Sequence, residues 1–430
     1  MDFKPTEYLL ENCLTHRQFK DTGWLMADPQ DTTGAFVRAV YGKKQIDIKD
    51  RSCGIYRFAD WLPIIRTLKG SCAPFTYKSD GLAKKLGLEN LYVTFSGYWP
   101  EKGVSMNTCS FKETEAYSVC GRLPEDYNKI LVVASAGNTA RAFAQVCSEN
   151  NIPIVISIPE ENMKAMWFKK PLNSCVKIIC SPTGSDYFDA IALGNKLSDS
   201  PHYMQEGGAK NVARRDGMGT TVLSAAEVIG RIPDVYFQAV GSGTGAIAAY
   251  EANLRLLEDG RFGKKLMRLI PSQNEPFTPM YDAWKADSRT LLPFDEDEER
   301  KKALQIVATV LSNRKPPYSV VGGLYDALKA TNGSFEKVTN DEVREACAMF
   351  KECEGIDIYS AAGVAVKSLQ KAVASGEVKR DETIMLNITG GGEQRFKSDN
   401  DYITATPDLV ISPEEDSATV ISKVDSLFGI

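Results

Sequence analysis

Lys112 lies in the stretch NTCSFKETEA (107–116), which reads as a helix start. Ser110 suits the N-cap and Glu113 falls three residues on, the pattern of a capping box. An ammonium in that first turn faces the positive end of the helix dipole. Two readings follow: the lysine snorkels off a frayed helix start at small cost, or its amine is meant to lose its proton and act as a nucleophile. Three loops bear on the choice. In AVGSGTGAIAAY, Gly241, Gly243 and Gly245 alternate with Ser242 and Thr244 between an apolar run and an Ala-rich segment. Glycines let the backbone approach a ligand, and the N–H groups of the loop and of the helix behind it suit an anion. A dinucleotide site wants an acidic residue about twenty positions on, where this chain has Pro271 and Ser272, and a P-loop wants a Gly-Lys-Ser/Thr ending that is absent. The loop therefore suits one phosphate; its alternative is a tight turn without a ligand. In ASAGNTARA, Ser135, Ala136, Gly137 and Thr139 offer backbone and hydroxyl donors to a carboxylate, and the Asn138 amide suits a ring hydroxyl. Gly-Asn is also a common turn pair. In LNITGGGEQR, Thr389 ends an apolar run ahead of three glycines, and its hydroxyl suits a ring nitrogen that stays uncharged.

Those loops need elements to hold them, and one pattern recurs: a short apolar run, a Gly/Ser/Thr/Asn loop, then an amphipathic segment. KILVVA leads through SAGNTA to RAFAQVCSEN, and VYFQAV leads through GSGTG to AIAAYEANLRLLEDG. IPIVISI, VKIIC, LMRLI and TIMLNI supply further strands. Such alternation predicts an α/β chain with two parallel or mixed sheets flanked by helices. Residues 1–70 read as an N-terminal extension. Residues 96–200 are expected to form a smaller α/β domain carrying Lys112 and the SAGNT loop, and 71–95 with 201–430 a larger one carrying GSGTG. The acidic run 295–300 reads as a solvated helix start and the C-terminal stretch as a closing helix.

Composition excludes other classes. With 430 residues, 43% hydrophobic and 25% charged, the chain has room for two domains and a large core. A formal net charge of −5 gives no footprint for nucleic acid or a membrane surface. No signal peptide or membrane span is read, so the cytoplasm is expected. Ten scattered cysteines contain no Cys-x-x-Cys and read as reduced, mostly buried small residues. Cys13 and His16 lack a second ligand pair, so no metal is expected. His16 and His202 are the only histidines, too few to favour a Ser-His-Asp mechanism.

A nucleophilic lysine, a cradle for one phosphate, a carboxylate loop with an Asn and a neutral hydroxyl form a set that suits pyridoxal 5′-phosphate (PLP). Here the chain resembles the fold-type II PLP enzymes, the tryptophan synthase β-like group. SFK (110–112) is similar to their Schiff-base lysine motif, SAGNT (135–139) to their substrate-carboxylate loop, and GSGTG (241–245) to their phosphate loop. FTYKSDGLAKKLGLENLYV (75–93) resembles threonine synthase, but that motif usually continues Ser-Phe-Lys-Asp-Arg-Gly where this chain has Glu113-Thr114-Glu115. FSGYWPEKG (95–103), EGGAKNVARRDGMGT (206–220) and YFQAVGSGTG (236–245) resemble the cysteate synthases, a threonine synthase-like family. The likeness runs from about residue 60 to 400. It implies PLP on Lys112, with Asn138, Gly241–Gly245 and Thr389 around the cofactor. It implies a transferase of amino-acid metabolism that makes L-cysteate from O-phospho-L-serine and sulfite through an aminoacrylate, serving coenzyme M or sulfonolipid biosynthesis. Threonine synthesis from O-phosphohomoserine and sulfide-dependent cysteine synthesis are the alternatives. Two anionic substrates call for further cations, for which Lys210, Arg214, Arg215 and Lys102 are the candidates. The resemblance also implies a homo-oligomer, and Cys13 with His16 as the remnant of a cysteine-rich knuckle.

Overall fold

The computed structural model describes residues 3–124 and 126–430. Two sheets dominate it. The larger has six strands in the order Glu336–Val338, Arg268–Asn274, Val235–Ala239, Thr383–Ile388, Asn90–Phe95 and Phe75–Lys78. All neighbours are parallel except the last pair, which is antiparallel. The smaller has five parallel strands, ordered Tyr203–Gln205, Ile130–Ala134, Ile154–Pro159, Val176–Ser181 and Leu409–Val410. Helices cover both, which is why strands such as Thr383–Ile388 and Ile154–Pro159 are apolar without alternation and buried throughout. The smaller sheet takes residues from both sides of position 200, since Tyr203–Gln205 and Leu409–Val410 hydrogen-bond into it. The closing helix, Ser417–Phe428, starts at an Asp416 cap and packs on the helix Tyr187–Lys196 of the same layer.

The N-terminal extension begins with a three-stranded antiparallel sheet, Gln18–Phe19, Tyr8–Asn12 and Val37–Tyr41. Cys13 and His16 diverge in it. Cys13 packs against Gly322, whereas the His16 side chain is 74% exposed, so the two do not form a ligand pair. Among the described residues no group of three or more His, Cys, Asp or Glu side chains could hold a metal ion. No helix among them is long and apolar enough to cross a membrane.

Two helices set the position of Lys112. The lysine helix, Lys112–Arg122, packs against the long helix Val212–Ile229, and every side chain of the lysine helix after its first residue is buried. The backbones meet at Gly217, where an added Cβ would fall into the Thr114 carbonyl and lie 2.8 Å from Ser118 Cβ. Gly217→Ala is expected to cost about 3 kcal/mol, because backbone cannot yield as a flexible side chain would. Urea unfolding of the variant measures it.

Candidate active site

The carboxyl ends of adjacent parallel strands are where an α/β sheet opens a crevice. In the larger sheet, Val235–Ala239 pairs with Thr383–Ile388, so the glycine loop and Thr389 emerge side by side. In the smaller sheet, Ile130–Ala134 runs into Ser135–Gly137 and then the helix Asn138–Asn150. The lysine turn joins the two. Ser110 bridges to Gly390, and the Phe111 N–H donates to the Thr389 carbonyl at 3.0 Å. One cavity results at this junction, of the concave kind that takes small molecules. Lys112, Ser135–Thr139, Gly241–Gly245, Arg214 and Thr389 all line it.

The start of the lysine helix differs from the sequence expectation. Lys112 is its first residue, Phe111 takes the cap position without a side-chain hydrogen bond, and Ser110 Oγ accepts from the Lys112 N–H at 3.2 Å. Glu113 does not close a capping box. Its Oε1 reaches back to the Thr108 N–H at 2.5 Å, because residues 106–110 turn tightly to meet the Thr389 loop. Burial pushes the Glu113 carboxyl up to about 7. A raised acid is stabilising while neutral, so this contribution is complete below the unfolded value of 4.5 and lost as pH rises through about 7. Glu113→Gln is therefore expected to stabilise the protein at pH 8, by of the order of 3 kcal/mol, and to change little at pH 4. Melting temperature against pH checks the sign.

Burial holds the Lys112 amine below the usual lysine range, opposed by Glu115 and assisted by Arg214. Its Nζ donates to Glu115 Oε2 at 3.0 Å. A shift in that direction is the one a lysine nucleophile or base needs.

The glycine loop has the form of a phosphate cradle. A Cβ at Gly241 would sit 3.0 Å from Leu311 Cα, and one at Gly245 would run into the Gln238 amide. Gly243 adopts a φ of 80°, which glycine alone takes without strain. The loop is thus pressed onto its support from below and opens toward the cavity, with the N-terminus of the 16-residue helix Thr244–Asp259 behind it. Ser242 and Thr244 bring their hydroxyls within 2.8 Å of each other. The Asn138 carbonyl oxygen accepts from Arg141 Nη2 at 3.1 Å, which leaves its amide N–H groups as the donors for a ligand. Arg141 is itself buried and fixed by the Ala165 and Thr108 carbonyls at 2.7 and 2.8 Å. A phosphate cradle, an oriented amide donor and a low-lying lysine in one cavity fit PLP.

Of the four candidate cations, the structure brings one to this cavity. Arg214 lines it, with Nε on Glu206 Oε1 at 2.8 Å and Nη1 3.4 Å from Glu115 Oε1. Arg215, the next residue on the same helix, points away and is consumed by Glu251 at 2.9 Å and by the Ala209 and Val37 carbonyls. Lys210 is exposed and outside the cavity. Lys102 is also exposed and lies over the Tyr77 and Trp99 rings at 5.4 and 5.5 Å. None of these three lines the cavity, although the sequence offered them as substrate contacts. Sequence reading missed Tyr187, Gln238, Val310–Asn313 and Tyr359, which also line the cavity. The helix Glu296–Gln305 ends where the β-branched IVATV run begins, and the following residues fold under the glycine loop. That helix stop is the one signal the sequence offers for Val310–Asn313.

A sequence profile described as "Pyridoxal-phosphate dependent enzyme" matches residues 76–390. The chain is 48% identical over 387 residues to a cysteate synthase of Methanosarcina mazei, covering 90% of this chain and 92% of that protein. It is 43% identical over 419 residues to one of Methanospirillum hungatei, covering 97% and 98%. Among solved structures, maize serine racemase superposes with a TM-score of 0.57 at 14% identity, over 76% of this chain and 91% of that one. Threonine deaminase isoform 2 of Solanum lycopersicum gives 0.56 at 15%, over 76% and 82%. Both show the fold.

Proposed function

The chain belongs to the pyridoxal-phosphate-dependent enzyme family and, within it, to the cysteate synthases, and we propose that it converts O-phospho-L-serine and sulfite to L-cysteate and phosphate. The observation that carries the reading is that Lys112, the glycine loop, the Ser135–Thr139 loop and Arg214 line one cavity. PLP bound there supplies an electron sink that lets an amino acid lose its α-proton. Lys112 is the residue to hold it, the Gly241–Gly245 loop to take its phosphate, Asn138 its ring hydroxyl and Thr389 its ring nitrogen. The N–H groups at Ser135–Thr139 would seat the substrate carboxylate and fix Cα against Lys112. The Lys112 amine then takes the α-proton as general base. Arg214 would hold the substrate phosphate through Nη1, since Glu206 accepts from both Nε and Nη2. Phosphate departs from Cβ, the sulfite sulfur bonds to Cβ, and Lys112 returns the proton to Cα.

The test is mass spectrometry of the products from O-phosphoserine with sulfite. Cysteate and phosphate are expected. Cysteine formed efficiently with sulfide in place of sulfite, or threonine formed from O-phosphohomoserine, would overturn the assignment in favour of those reactions. We assign the reaction to the cytoplasm, on ten cysteines that are all unpaired thiols. A homo-oligomer is proposed on family resemblance, and sedimentation checks it.

A further inference from the structure

Glu115 has no part in the mechanism above, yet its carboxylate is hydrogen-bonded to the Lys112 amine. The side chain is fully buried. One oxygen, Oε2, accepts from Lys112 Nζ at 3.0 Å. The other, Oε1, is buried without a hydrogen-bond partner and lies 3.4 Å from Arg214 Nη1. A buried carboxylate is costly unless cations face it, and here the two cations are the base and the phosphate-binding arginine of the proposed reaction.

We propose that Glu115 is a positioning residue: it holds the Lys112 amine at the cavity wall whenever that amine is not bonded to the cofactor, and it stabilises the positive charge that Nζ acquires on taking the α-proton. In that step the Cα–H bond breaks, its electron pair stays on the substrate side, and the proton forms a new N–H bond on Nζ. The ammonium so formed points at Glu115 Oε2. Once the C–S bond exists, the same proton goes back to Cα and the charge on Nζ disappears. A fixed carboxylate in a water-poor site suits such a transient charge because it needs no reorganisation when the charge appears.

The groups that face Lys112 come from four elements. Glu115 is on its own helix, Arg214 on the long helix, Glu206 on the turn after Tyr203–Gln205, and Tyr187 at the start of the helix Tyr187–Lys196. Glu115 and Glu206 favour the ammonium, whereas burial and Arg214 oppose it. Removal of Glu115 therefore moves Lys112 toward the neutral amine. That direction distinguishes an electrostatic role from a packing role.

The inference rests on Lys112 as the cofactor lysine, so its first readout avoids the cofactor. The full-length chain, before cofactor loading, is labelled at pH 8 with trace acetic anhydride, and Lys112 acetylation is followed by mass spectrometry. Glu115→Gln is expected to label Lys112 about five-fold faster than the parent and Glu115→Asp about two-fold faster, in step with the neutral fraction. In the loaded enzyme, Glu115→Gln is expected to lower kcat about ten-fold with KM for O-phosphoserine unchanged, and to move the acid limb of the kcat profile to lower pH. Unchanged labelling in a folded Glu115→Gln would overturn the proposal, as would a pH profile that keeps its shape. Should that variant not fold, unchanged labelling in Glu115→Asp overturns it. A Lys112→Ala protein that keeps the visible cofactor band would instead sink the functional reading, whichever way the labelling falls.

Discussion

Lys112→Ala is expected to lose the visible absorbance of the lysine-bound cofactor and about 10⁴-fold in cysteate formation, the upper end of what a positioned base contributes. The size follows from the geometry. Lys112 is the lysine that lines the cavity shared by the glycine loop and the Ser135–Thr139 loop, and burial holds its amine below the usual lysine range. No neighbouring amine can take its place: Arg214 stays protonated, Glu206 is held by Arg214, and Glu115 without Lys112 still faces Arg214. The variant is expected to fold, since the helix from 112 to 122 is held by its buried side chains and by Gly217 rather than by its first residue. Absorbance, product mass spectrometry and melting temperature, taken on one preparation, separate loss of chemistry from loss of structure. Retention of cysteate formation within ten-fold of the parent would remove Lys112 from the reaction.

Arg214→Gln is expected to act differently, through substrate. Loss of a charge-assisted contact to a dianionic phosphate is worth about 2–3 kcal/mol, so kcat/KM for O-phosphoserine should fall on the order of 10²-fold, mainly through KM. The change also leaves Glu206 and Glu115 facing each other across a buried site without their shared cation. Breaking such a cluster costs about 3–5 kcal/mol of stability. Arg214→Lys is the informative companion. It restores the charge but not the fork that contacts Glu206 and the phosphate together, so stability should recover more than KM. Steady-state kinetics with urea unfolding of both variants checks the split. Equal KM values for parent and both variants would move the phosphate site elsewhere in the cavity.

Much of the fold and of the site is legible in the amino-acid sequence. The alternation of apolar runs with Gly/Ser/Thr/Asn loops carries the α/β class, because strands buried on both faces need continuous hydrophobicity and their ends need turn residues. The SAGNT and GSGTG loops carry their chemistry locally. Gly243 has a positive φ, and Gly241 and Gly245 press so closely on Leu311 and Gln238 that a side chain would not fit. Lys112 stands out as an amine at the wrong end of a dipole.

What the sequence by itself determined, then, were features whose physics lies within a few residues, the capping box at Ser110 excepted: the α/β alternation, the glycine loops, the acidic helix start at 295–300 and the odd lysine. Only the tertiary structure decided which groups those features meet. Arg214 and Arg215 are indistinguishable as neighbours in a chain, yet successive residues on a helix lie about a quarter-turn apart, and packing sends one to the cavity and the other to Glu251. Glu113 and Glu115 have the local pattern of an ordinary helix start, and both are buried where the long helix closes over them. Val310–Asn313 and Tyr359 reach the site from parts of the chain more than sixty residues from the glycine loop, set by how helices dock on two sheets. No local pattern encodes such contacts, since their energy comes from burial shared among segments that meet only in the fold.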